Sequence, residues 1–214
     1  MRPFAFALLL ALGLPLAAAA SPVTVLISGT WDTVDDAGNE LGGTVTPGGA
    51  FTATLSYDDT APITYSDPIT ANYDVGALPF SYVLVTGGFT FAWAGGFTSL
   101  DLLDSSYDTV AGYFEDLSGT PGLPPFGLSY ASLSLDDPSG AALSSTALAA
   151  LPWSLASWPS ADAGIFFDVL DGNPLTYVEL AGTITSLTVV PEPATSGLLA
   201  GGLALLAAGA RRRR

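Results

Sequence analysis

The chain has 214 residues, a formal net charge of −15, and neither cysteine nor histidine. Against 20 acidic residues it sets 5 basic ones, all arginine: Arg2, Arg211, Arg212, Arg213 and Arg214. This excludes disulfides, thiolate metal sites and thiol or imidazole catalysis, and the cation-free middle cannot grip nucleic-acid phosphates.

The first twenty residues, MRPFAFALLLALGLPLAAAA, join one positive charge to an apolar run and an alanine cluster. Arg2 forms the positive n-region, Phe4 to Leu16 the apolar h-region, and Ala18 and Ala20 frame an A-x-A site before Ser21. That is the pattern of a secretory signal peptide, so residues 1–20 are expected to direct export and to be removed by signal peptidase.

Residues 21–190 follow a period of two. VTVLISGTW opens the series, GGTVT and FTATLSY follow around a Pro47-Gly48-Gly49 turn, and FSYVLVT and FTFAWA flank Gly87-Gly88 as a hairpin. TSLDLLD, TVAGYFE, FGLSYASLSL, GIFFDVL and TYVELAGTITSLTVV complete the set. About ten strands separated by Gly, Pro and Asp turns predict an all-β ectodomain, an antiparallel β-sandwich or jelly roll. Only residues 144–151 look helical, for a couple of turns. With no long amphipathic helix, α/β folds are disfavoured.

Of the acidic residues, all but Glu192 lie in this middle stretch, where salt bridges are impossible for want of a cation. The densest patch holds Asp32, Asp35, Asp36, Asn39 and Glu40 around Gly38. Clustered oxygen ligands at a glycine turn make calcium a candidate cofactor, although the spacing is not that of an EF-hand. The alternative is a solvated loop between strands in which Asp and Asn serve turn geometry. Asp58-Asp59, Asp136-Asp137 and Asp171-Gly172-Asn173 are read first as turns at strand ends. Trp153 and Trp158 lie in a proline-rich loop and are candidates for stacking on sugar rings; the competing role is packing. Paired carboxylates could support glycoside hydrolysis, but nothing in the sequence marks such a pair, so a non-enzymatic protein is expected.

The chain closes on PEPATSGLLAGGLALLAAGARRRR. Pro191 and Pro193, on either side of Glu192, keep the chain extended and poor in donors. The apolar run 194–210 has about 17 residues, roughly 25 Å as a helix, which is marginal for a hydrocarbon core of about 30 Å. Arg211, Arg212, Arg213 and Arg214 would stop it with the tail on the cytoplasmic side. The order of motif, short transmembrane helix and basic tail resembles the PEP-CTERM sorting signal. That resemblance implies an exosortase as processing partner in a Gram-negative bacterium. It further implies a membrane-anchored precursor cleaved near the motif, then a cell surface or extracellular matrix destination alongside exopolysaccharide. The stretches GTW, FTATLSYDDTAP, VTGGFTF, LPWSLASWP and AGTITSLTVVPEP are also similar to a recurrent ectodomain layout among PEP-CTERM proteins. The organisation expected is therefore signal peptide 1–20, ectodomain 21–190 and sorting signal 191–214. The expected role is a non-enzymatic surface or biofilm-matrix protein, with a secreted carbohydrate-active enzyme as the alternative.

Overall fold

A computed structural model describes residues 22–77, 79–121, 123–170 and 176–190. Its strands are β1 (Pro22–Asp36), β2 (Ala50–Asp58), β3 (Ile63–Ser66), β4 (Thr70–Tyr73), β5 (Ser81–Thr86) and β6 (Phe89–Trp93). They continue with β7 (Thr98–Leu103), β8 (Asp108–Glu115), β9 (Leu117–Gly119), β10 (Phe126–Asp137), β11 (Ser160–Val169) and β12 (Tyr177–Val190). All twelve join one sheet in the order β3-β4-β7-β8-β10-β11-β12-β1-β2-β5-β6-β9, and every neighbouring pair is antiparallel.

The alternation read from the sequence explains the core. On β2, Phe51, Ala53, Leu55 and Tyr57 are buried, while the residues between them are not. On β10, Ala131, Leu133 and Leu135 do the same. Each fully buried large apolar side chain contributes about 1.5–3 kcal/mol, and a strand can bury such a set only in the register that keeps it on one face. The sheet curls until its buried face meets itself. Tyr82 of β5 stacks on Phe114 of β8 with ring centroids 4.7 Å apart, and Phe91 of β6 lies 5.5 Å from Phe167 of β11. These strands are far apart in sheet order, so their contact requires the curl.

The all-β, antiparallel expectation therefore holds. The two separate sheets of a sandwich or jelly roll are replaced by one continuous curled sheet. The Gly87-Gly88 hairpin joins β5 to β6, with φ of 55° and 89°, the left-handed pair that a two-residue turn demands. GGTVT forms no strand: residues 42–49 are a loop that sinks Val45 into the core and ties Gly48 N–H to the Trp31 carbonyl. The stretch 144–151 holds only a 3₁₀ turn, Leu148–Ala150. Strands β3, β4 and β9 were not anticipated. They are three or four residues long, too short to show a period.

Strands β1 and β12 sit side by side in the middle of the sheet, and Thr24 pairs with Val190. Of the two register shifts in this pair, one falls between Ser28 and Gly29 and the other between Trp31 and Thr33, next to the point where Gly182 faces Trp31. A Cβ on Gly182 would collide with the Thr30 carbonyl oxygen and the Trp31 backbone, so the close approach requires glycine. The cleavage residues Ala18 and Ala20, the motif Pro191-Glu192-Pro193, the apolar run 194–210 and the arginines 211–214 lie outside the described residues. Among the described residues no helix is long and apolar enough to cross a membrane.

Candidate functional site

Strand β1 runs to Asp36, so Asp32, Asp35 and Asp36 are strand residues, and neighbouring side chains on a strand point to opposite faces. Asp32 accepts a hydrogen bond from Thr183 at 2.8 Å and Asp35 one from the Tyr177 hydroxyl at 2.8 Å. Both oxygens of Asp36 turn back onto the chain, accepting from the N–H groups of Glu40 at 2.7 Å and Leu41 at 2.9 Å. Asn39 takes a left-handed φ of 57°. The proposed calcium ligands Asp32, Asp35, Asp36, Asn39 and Glu40 do not converge. Among the described residues no three acidic side chains gather as a metal site. Of these acids Asp36 shapes the turn, while Asp32 and Asp35 are tied to side chains of β12.

The same use recurs around the sheet and explains how so many carboxylates survive without a cation. Asp67 accepts from the N–H groups of Ile69 and Thr70 at 2.9 and 2.7 Å. Asp137 accepts from Ser139 and from Ala141 N–H. Asp58, at the end of β2, accepts from the N–H and hydroxyl of Thr60. Asp171-Gly172-Asn173 lies outside the described residues. The Thr60 hydroxyl and N–H hold the Asp58 carboxyl below its ordinary value of 3.8. The Ile69 N–H does so for Asp67, and the Ser139 hydroxyl for Asp137. A depressed folded-state pKa gives stability that is complete above the ordinary carboxylate range and is lost as pH falls through the folded value. Acidification toward pH 4 also relieves self-repulsion in so acidic a domain. The melting temperature is thus expected to hold or rise from neutral pH to about pH 4 and to drop only below it. A pH series of melting curves checks this; a collapse complete by about pH 5 would contradict it.

Trp153 and Trp158 are not exposed. They are 8% and 3% accessible, and each indole N–H is engaged, Trp153 with the Tyr57 hydroxyl at 2.9 Å and Trp158 with the Pro152 carbonyl at 2.9 Å. The proline-rich segment folds down onto the sheet and carries its apolar side chains with it, so the pair cannot stack on a sugar. The accessible aromatics lie elsewhere, on the outer face of the sheet. Tyr113 (β8), Tyr130 (β10), Phe166 (β11) and Tyr177 (β12) form a ladder with centroid steps of 4.9, 5.3 and 5.9 Å. Each occupies an outward position between two buried residues, for example Tyr113 between Gly112 and Phe114. Sequence reasoning missed this ladder because its members come from four strands, and only register brings them together.

The described domain is thus an acidic antiparallel sheet whose carboxylates shape turns, and its central strand β12 leads straight into the terminal segment. Residues 189–214 match the family model of the PEP-CTERM protein-sorting motif. The chain carries that motif, which implies an exported, surface-directed protein with exosortase as its processing partner. The match takes in Pro191, Glu192, Pro193 and the arginines 211–214. No curated protein and no solved structure gives a significant match to the chain.

Proposed function

We propose that this is a non-enzymatic protein of the cell surface or extracellular matrix, exported through its signal peptide, held briefly as a membrane-anchored precursor and released by exosortase to associate with exopolysaccharide. The sorting motif at 189–214 is the observation that carries this reading. The acidic side chains support the non-enzymatic part. A glycosidase needs two carboxylates free to flank a sugar, whereas Asp36, Asp58, Asp67 and Asp137 are engaged by the turns they shape. The cation-free ectodomain supports a soluble, mutually repelling product at high density.

The test is fractionation of cells producing the full chain. Wild-type protein is expected in the surface and matrix fractions, shortened at its C-terminal end. Glu192→Ala and a deletion of residues 211–214 are each expected to leave uncleaved protein in the membrane fraction. Normal release of both variants would refute the exosortase reading.

A further inference from the structure

An open groove of about 650 Å³ lies on the outer face at the β3-β4-β7-β8 end of the sheet, within the usual range of about 300–1,000 Å³ for ligand sites. Register builds its floor: Tyr65 of β3 pairs with Asn72 of β4, which pairs with Asp101 of β7. Aromatic rings form the walls. Phe97 and Tyr65 are 60% and 56% exposed. Tyr113 ends the ladder, packing against Tyr130 and also lining the groove. The Tyr65 hydroxyl donates to Asp67 at 3.1 Å, which restrains that ring. Asp101 Oδ1 is buried and has no hydrogen-bond partner. Oδ1 itself is closed to solvent, but the Asp101 side chain is only half-buried and lines the groove, so its carboxylate can take a donor there, and the ectodomain has no side-chain cation to supply one.

We propose that this groove binds a segment of neutral polysaccharide. The inference rests on the surface and matrix reading above and names the site and the charge class of the glycan. Sugar hydroxyls can donate to Asp101 and accept from the Asn72 amide, while the apolar face of a pyranose lies against Phe97, Tyr65 or Tyr113. A polyuronate would instead bring its carboxylates to Asp101 with no cation between them, and like charges brought together discriminate strongly against a partner. The groove therefore selects against acidic glycans.

The experiment uses the full chain, purified in detergent, and the exopolysaccharide of the producing cells separated by anion exchange into neutral and acidic fractions. The neutral fraction is expected to bind and the acidic fraction not. Phe97→Ala and Tyr65→Ala are each expected to weaken binding at least tenfold with unchanged melting temperature, since both rings are exposed. Asp101→Asn is expected to weaken neutral binding and to narrow the discrimination against the acidic fraction. Failure of the neutral fraction to bind, preference for the acidic one, or indifference to all three substitutions would overturn the assignment. A correctly sorted protein that ignores both fractions overturns the groove alone. A groove that binds in a protein absent from the surface and matrix fractions overturns the sorting reading alone.

Discussion

Replacing Trp153 by alanine is expected to lower the stability of the domain by about 3–5 kcal/mol. The side chain is 8% accessible, its ring lies 6.1 Å from that of Tyr57, and its N–H supplies the hydrogen bond to the Tyr57 hydroxyl. Burial pushes the Tyr57 phenol up to about 12, so the hydroxyl stays protonated and, without Trp153, loses a buried partner. Trp153→Phe keeps most of the packing and loses the hydrogen bond, at about 1 kcal/mol. The Tyr57→Phe variant removes the same bond from the other side. If the bond is the shared loss, the double variant costs less than the sum of the two single ones. Urea unfolding measures all four variants. A Trp153→Ala loss under about 1 kcal/mol would mean that residues 151–158 do not pack on the sheet, and the sugar-stacking role would return.

The second large effect is expected at Asp108, which is completely buried. Its two carboxylate oxygens accept from the N–H groups of Ser105 at 3.0 Å and Leu143 at 2.8 Å. The second bond reaches 35 residues along the chain and pins the segment after β10 to the β7-β8 connection. Asp108→Ala leaves both donors unpaired, at about 1–3 kcal/mol for each one that stays buried. Asp108→Asn restores one acceptor but aims its amide N–H₂ at the other donor, so it is expected to recover only part of the loss. Melting temperature and hydrogen exchange at Leu143 check both. Full rescue by asparagine would show that a single acceptor suffices, and a neutral alanine variant would show that neither bond matters.

The strands that carry the core were legible because a half-buried strand writes its register into the sequence as alternation, as in FTATLSY and FGLSYASLSL. The Gly87-Gly88 hairpin was legible because only glycine meets its backbone demand cheaply. What depended on three-dimensional closure was not. The curl that makes one sheet from two expected ones follows from contacts such as Tyr82 with Phe114, which no local pattern announces. The exposure of Trp153 and Trp158 was misread because proline-rich composition marks irregular backbone and says nothing of which way that backbone packs. The acidic patch admitted two readings, calcium ligands or turn formers, for a related reason. Composition counts ligands, but strand geometry decides whether they meet. The groove was hidden because Tyr65, Asn72, Asp101 and Tyr113 come from four strands, two of them too short to recognise. The sorting motif could be read whole because its parts are contiguous.

The placement of β12 has a mechanical consequence. Its ladders to β1 and β11 lie on both of its sides, and antiparallel hydrogen bonds stand perpendicular to the strand. Tension applied at Val190 along the strand axis loads those bonds together, in shear, rather than opening them one at a time from an edge. A domain tugged from this point while its far surface grips a polymer would resist extraction far better than one whose last strand lay at the rim.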